Sequence, residues 1–411
     1  MSKKTLEHHS PLNYFDVKDH CLLVGGRNFA DILAQHDDVP AYLYDRSVIK
    51  QKIEALRNVL PNNMHIHYAI KANPMPEVVS FTQELVDGLD VASGKELTVA
   101  LNSGMDAKEI SFAGPGKSIE ELTLAIKSGI TINLESQTEL QRVISIGEQT
   151  GITPHVALRI NPDFELKTSG MKMSGGPKQF GVDAEISASI IKDIIASGLD
   201  FKGLHIFSGS QNLKPEAIIE AQSKTFELAA RLAQQTNTEF FKLNIGGGLG
   251  IPYFPGEKPL PLEPIGENLH ALFEQYSESF ANTTIITELG RFIVGECGIY
   301  ISKVIDKKIS RGSTFLIING GLHHHLAASG NFGQVIRKNY PVTVANKIGL
   351  ATEKASAVGP LCTPLDVLAQ DMELPMAEIG DYVAVFNSGA YGYTSSPLNF
   401  LSHPHPIEIF V

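Results

Sequence analysis

Between about residue 60 and residue 290, short apolar, β-branched runs alternate with longer stretches whose apolar residues recur at helical spacing. The runs at 65–70, 89–92, 110–113, 130–134, 156–160, 203–207, 242–245 and 285–288 predict eight strands. The stretches at 76–86, 118–127, 136–149, 184–196, 215–235 and 266–280 predict helices between them. Strands alternating with helices build βαβ units and a parallel sheet. Eight such units in about 230 residues fit a (β/α)8 TIM-like barrel, which typically takes about 250. A doubly wound open sheet is the competing architecture, but it more often has five to seven strands and an early GxGxxG turn, absent here.

Beyond residue 291 the helical spacing thins out. Strand-like runs at 298–305, 314–318, 341–345, 382–386 and 407–410 are separated by turn residues. They predict a mostly antiparallel C-terminal β domain, a small barrel or sandwich, completed by residues from about 14 to 41. The expected division is 42–290 for the barrel, with 1–41 and 291–411 forming the β domain.

The 411 residues are 43% hydrophobic and 19% charged, and the net charge is −11. An acidic chain without a basic cluster is a poor binder of nucleic acid or anionic membranes. No run approaches the roughly 20 apolar residues needed to span a bilayer. Residues 1–10 lack the apolar centre of a signal peptide. Three scattered cysteines, Cys21, Cys297 and Cys362, make no disulfide framework, and a cytoplasmic protein with free thiols is expected.

Functional residues of a (β/α)8 barrel lie where strands end and βα loops begin. Those positions hold Lys71, Ser93, Gly114-Pro115, Glu135, Arg159, Ser208-Gly209-Ser210, Gly246-Gly247-Gly248 and the run from Glu288 to Arg291. Lys71 reads two ways: a rim lysine with its ammonium in water, or an amine of lowered basicity that condenses with an aldehyde. The triple glycine is either a tight turn or a cradle of N–H groups for a phosphate. Arg291 is either a rim salt bridge or a further phosphate contact. An aldehyde cofactor that carries a phosphate and is held by a lysine is pyridoxal phosphate, and Glu288 could keep its ring nitrogen protonated. Cys362, in GPLCTPLD (359–366), is either a buried structural thiol or a proton donor. The run His323-His324-His325, if on a strand, points to alternating faces, and no metal site is expected there.

From about residue 42 to residue 391 the chain resembles the fold-type III pyridoxal-phosphate decarboxylases, which include diaminopimelate, ornithine and arginine decarboxylases. The resemblance rests on YAIKAN (68–73), DVASGKEL (90–97), GLHIFSGSQ (203–211), NIGGGLG (244–250), ELGR (288–291), GPLCTPLD (359–366) and GAY (389–391), in family order. It implies an alanine-racemase-like barrel plus β domain, in a head-to-tail homodimer with shared active sites. It implies that Lys71 holds the cofactor and Glu288 pairs with its ring nitrogen. Gly247, Gly248, Gly290, Arg291 and Tyr391 would bind the phosphate, with Ser210 nearby. Cys362, entering from the partner subunit, would protonate the carbon left after carbon dioxide departs. Where relatives commonly place a histidine over the cofactor ring, this chain has Phe207, which still stacks.

Thr363 is the larger departure. Diaminopimelate and ornithine decarboxylases of this family carry an acid directly after the cysteine, and it grips the substrate's distal ammonium. A neutral threonine supplies no such charge-assisted bond. The Arg-Pro-x-x-Tyr signature for a far carboxylate is also absent, and LAASGNFGQVIRKNYP (326–341) stands in its region. That segment resembles subgroups that act on a carrier-tethered glutamyl group or accompany exosortase gene sets. Arg337 and Lys338 are then either contacts to a carrier's phosphate or a solvated pair. Arg159, Thr363, Asp366 and Arg337 are the candidate substrate residues.

The reading expected from these residues is a pyridoxal-phosphate-dependent amino-acid decarboxylase. Its expected substrate is an amino acid other than free diaminopimelate, with a carrier-protein-tethered amino acid such as a glutamyl thioester as the candidate. Free diaminopimelate is the alternative. A racemase would need a tyrosine where the cysteine loop stands, and a silent homologue would typically have lost Lys71 or Cys362.

Overall fold

The structure, a computed structural model, describes residues 8–36, 40–164, 171–172 and 176–411. The chain divides into two compact units, one built from Lys52–Gly250 and Leu260–Phe292, the other from Met1–Gln51, Ile251–Pro259 and Ile293–Val411.

The first unit is a closed parallel barrel. Its strands are β1 (His65–Ala69), β2 (Gly88–Val91), β3 (Ile110–Phe112), β4 (Thr131–Leu134), β5 (His155–Asn161), β6 (Asp200–Ile206), β7 (Lys242–Gly247) and β8 (Thr284–Leu289). Each pairs in parallel with the next, β8 pairs with β1, and the ring closes. All eight match the runs expected from the sequence to within a few residues. Strands buried on both faces read as continuous apolar runs, which is why they were legible; Gly88–Val91 and Thr131–Leu134 are buried throughout. The helices between them begin where the chain offers a cap. Ser118 and Glu121 form a reciprocal capping box ahead of Ile119–Ser128, and Gly129 ends that helix in the left-handed region at φ 73°. Ser136 caps Gln137–Thr150 and Gly151 ends it in the same way.

The second unit is mostly antiparallel. Its sheet runs Val342–Val344, Tyr382–Val385, Gly298–Ser310, Ser313–Ile318, Thr352–Val358, Val367–Pro375, and only the pairing of Ser313–Ile318 with Thr352–Val358 is parallel within this order. Ala41–Tyr44 pairs antiparallel with Gly298–Ser310 and parallel with Ile407–Phe410. The strand Ala41–Tyr44 therefore lies in this unit, whereas the sequence reading began the barrel at residue 42. Leu22, Val24, Phe29, Ile32 and Leu33 pack with Leu43, Ile299, Ile301, Ala384 and Phe386 in one apolar cluster, so the N-terminal segment supplies much of this core. No helix among the described residues is long and apolar enough to cross a membrane.

Candidate active site

β1 ends at Ala69 and passes into a single 3-10 turn, Ile70–Ala72, that carries Lys71. The Tyr68 hydroxyl donates to the Asn73 carbonyl at 2.8 Å and pins that turn. Across the closure, β8 runs beside β1 with Glu288 opposite His67 and Leu289 opposite Tyr68. From this register Lys71 reaches Glu288, its Nζ donating to Oε1 at 3.1 Å. His205, on β6, holds the other carboxylate oxygen, with Nε2 3.0 Å from Oε2. Glu288 and His205 are buried, whereas 42% of the Lys71 side chain is open to solvent. Burial alone would raise the Glu288 carboxyl, but the Lys71 ammonium and His205 outweigh it and hold the group well below the usual carboxylate range. Lys71 Nζ also lies 5.6 Å from the centroid of the Phe207 ring.

The glycine run closes the same end of the barrel. Pairing between β7 and β8 slips between Asn244 and Gly247, so the chain bulges there. The Asn244 side chain accepts from the Gly246 N–H at 2.8 Å inside that bulge. Gly248 takes φ 79°, and a Cβ on it would strike the Gly209 carbonyl beside Ser210. A Cβ on Gly247 would strike the Glu288 carbonyl, and one on Gly290 would press on Ala69 and Ala72, which flank Lys71. Lys71, Phe207, Ser210, Gly247, Gly248, Glu288 and Gly290 thus converge on one end of the barrel, and Arg291 follows directly after Gly290.

Arg159 is buried, and its guanidinium is 2.8 Å from Glu135 Oε1 and 4.9 Å from the centroid of the Phe180 ring. Burial raises the Glu135 carboxyl, but Arg159 and Lys117 more than offset it and hold the group low. Arg159 is bound into an internal ion pair rather than extended into open space.

The other candidates lie in the β unit. Cys362 is exposed on its loop. Asp366 is turned inward beneath that loop: Oδ1 accepts from the Leu322 N–H at 2.6 Å and Oδ2 from the Leu361 N–H at 2.9 Å. These two bonds tie the Cys362 loop to the turn at Leu322. The Thr363 hydroxyl accepts from the Leu365 N–H at 3.4 Å. Arg337 is half-buried, donates to the Val367 carbonyl and lines a cavity of about 540 Å³ with Ser329, Asn331, Gln334 and Asp371. Tyr391 adopts φ 54° in a turn after the glycine-alanine pair.

Two sequence expectations change. His323–His325 lie in a turn, not on a strand, because the N–H groups of both His324 and His325 donate to the Gly321 carbonyl at 3.0 Å. All three are buried; Nδ1 of His324 is 2.9 Å from the Tyr300 hydroxyl, and Nε2 of His325 is 2.9 Å from Ser388 Oγ. The second is His205, quoted within its motif but given no role. A polar residue within the apolar run 203–206, just before Phe207 at the strand's end, was the signal available for an inward-facing position.

An exposed amine beside a buried, ionised carboxylate, with bulged glycines within reach, fits an aldehyde cofactor bearing a basic ring nitrogen and a phosphate. A closed parallel barrel with that set at its strand C-termini defines the class of barrel enzymes that use pyridoxal phosphate. The chain belongs to the pyridoxal-dependent decarboxylases, whose pyridoxal-binding domain matches residues 46–295. It is 37% identical over 385 residues to the L-glutamyl-[BtrI acyl-carrier protein] decarboxylase of Niallia circulans, covering 92% of this chain and 90% of that protein. The diaminopimelate decarboxylase of Aquifex aeolicus is 34% identical, with 97% and 92% covered. Among solved structures, the diaminopimelate decarboxylase of M. jannaschii with L-lysine superposes with a TM-score of 0.87 at 26% identity, covering 97% of this chain and 93% of that one.

Proposed function

We propose that this enzyme removes the α-carboxylate of an amino acid held on a carrier protein, a glutamyl thioester being the leading candidate. The observation that carries the substrate class is Thr363, a neutral side chain directly after Cys362. A free diamino acid brings a distal ammonium that calls for a carboxylate partner, and a tethered acyl group does not. The 37% identity to the Niallia circulans carrier-protein glutamyl decarboxylase supports the same reading.

The bound cofactor supplies the electron sink for the pair left on Cα when carbon dioxide departs. Lys71, its amine at the mouth of the barrel beside Glu288, would hold the cofactor through its aldehyde. Glu288, kept anionic by its two partners, would hold a proton on the cofactor's ring nitrogen, and His205 fixes the orientation of Glu288. Gly247, Gly248, Gly290 and Arg291 would hold the phosphate with Ser210 nearby, Phe207 would offer a face for the ring to stack on, and Tyr391 is proposed as a further phosphate ligand on the resemblance alone. In a homodimer with shared sites, Cys362 of the partner subunit delivers the proton to Cα, and solvent restores the thiol. Arg337 faces the carrier. A cytoplasmic location, where thiols stay reduced, suits this role for Cys362.

The test is carbon dioxide release from cofactor-loaded protein given a glutamyl-loaded carrier protein and, separately, free meso-diaminopimelate. Turnover of the tethered substrate alone is expected. Rapid turnover of free diaminopimelate would overturn the Thr363 argument and make this an enzyme of lysine formation with a different anchor. Silence with both would remove the catalytic reading.

A further inference from the structure

At the end of the barrel opposite Lys71, where the strands begin, the polar groups are arranged for a different ligand. His65 opens β1 and His67 follows on the same strand, while Glu109 ends the turn Ala107–Glu109 that leads into β3. One ligand atom from each of His65, His67 and Glu109 lies within 4.8 Å of the other two. His67 is 2% exposed, and neither of its ring nitrogens makes a hydrogen bond. Nδ1 faces Asp90 Oδ2 at 3.5 Å and Nε2 faces Glu109 Oε2 at 4.0 Å. The imidazole packs closely on the backbone of Gly88, where a Cβ would strike it and the Glu109 carbonyl, so glycine there lets His67 and Glu109 come together.

We propose that His65, His67 and Glu109 bind one divalent transition-metal ion of the zinc class at this end of the barrel. Two imidazoles and one carboxylate suit such an ion and disfavour magnesium or calcium, which prefer oxygen ligands. The surroundings match those of a metal-bound histidine, whose second ring nitrogen almost always donates to a carboxylate or carbonyl. Asp90 is that carboxylate. Its Oδ1 is held by the Ser111 hydroxyl, which the Asn133 amide also contacts at 3.1 Å, so Oδ2 is left to fix His67 with its Nε2 lone pair toward the ion. Ligand atoms about 2 Å from a tetrahedral ion lie roughly 3–3.5 Å apart, so the three side chains close in by about 1 Å.

Lys242 is the competitor. Its ammonium lies 2.9 Å from Glu109 Oε2 and 2.7 Å from the Lys108 carbonyl. The ion must displace it or take the other Glu109 oxygen, and on binding ties β1 to the turn before β3.

The experiment titrates cobalt(II) into the intact holoenzyme and follows the visible bands of tetrahedral cobalt, then adds zinc(II) to displace it. About one equivalent is expected. His65→Ala and Glu109→Gln each weaken binding by at least about tenfold, and Asp90→Asn by about 10–100-fold. Lys242→Gln, which removes the competing cation, tightens it. His405→Ala, in the other unit, leaves it unchanged. Far-ultraviolet circular dichroism and cofactor absorbance verify that each variant is folded. A wild-type protein that takes up no cobalt overturns the proposal, as does uptake that survives both His65→Ala and Glu109→Gln.

Discussion

Glu288 in the barrel and Asp366 in the β unit are both sealed from water, 4% and 2% exposed, yet their surroundings drive them in opposite directions. Glu288 meets two cationic or protonatable groups, Lys71 and His205, and is held well below the usual carboxylate range. Asp366 accepts hydrogen bonds from the backbone N–H groups of Leu322 and Leu361, and its nearest charged influence is a weak one from His403. Burial is the largest influence on it and raises its carboxyl despite those bonds. The first arrangement stores a fixed negative charge beside an amine, which is what a protonated ring nitrogen requires. The second spends a carboxylate on holding two loops in shape. Burial of an acid therefore marks a reactive site only when cations accompany it.

Removing the cation from the first arrangement has the largest expected effect. Lys71→Ala should lower decarboxylation by more than about 10³-fold and abolish the absorbance of the lysine-bound cofactor. Full turnover with that absorbance intact would end the assignment of Lys71. Glu288→Gln comes next. The amide keeps the shape but cannot hold a proton on the ring nitrogen, so turnover should fall by about 10²–10³-fold while cofactor still binds. In the wild type the sign of the linkage also follows. A carboxyl lowered on folding gives stability that is present above its unfolded value and lost as pH falls below it.

The barrel and the candidacy of Lys71 and Glu288 were legible because both depend on local pattern: apolar runs mark the strands, and chemistry collects at their C-terminal ends; that the two side chains meet follows only from the β8–β1 register. The β unit was less legible for a physical reason. Thr352–Val358 (TEKASAV) and Val367–Pro375 (VLAQDMELP) carry polar residues on partly exposed faces and were not singled out as strands. His205 needed the register that sets β6 near β8. The bond from the Leu322 N–H to Asp366 joins residues 44 apart in sequence, so no local pattern around Cys362 discloses it. The cluster of His65, His67 and Glu109 likewise exists only once β1 and β3 are strands of one closed barrel.

Histidines give the β unit a different response to acid. His323, His324 and His325 are pushed down, chiefly by burial, to about 4, 3 and 3. In the unfolded chain each takes a proton near pH 6.5, which the folded protein refuses. Stability is therefore complete above that value and lost as pH falls below it, by up to roughly 1.4 kcal/mol per pH unit for each histidine. His325→Gln no longer titrates, so its melting temperature should fall less steeply than the wild type's between pH 6.5 and 4.5. Equal slopes would mean that the native state protonates His325 readily.

Asp366→Asn gives the smallest effect and the sharpest contrast with Glu288→Gln. The amide oxygen can accept from only one of the two N–H groups, so the other loses its partner, at about 1–3 kcal/mol. Against this, the substitution removes a charge that burial disfavours, leaving a net loss of about 1 kcal/mol. The pH signature separates the two contributions. A carboxyl raised on folding contributes stability that is present below its unfolded value and lost as pH rises through its folded value, the reverse of Glu288. The variant should therefore lose most in acid, where the wild type holds a neutral carboxylic acid, and approach the wild type toward neutral pH. Melting temperatures of the two proteins compared from pH 4 to pH 7.5 test this. A gap that widens toward neutral pH would mean that the ionised carboxylate stabilises the loop, and that Asp366 resembles Glu288 after all.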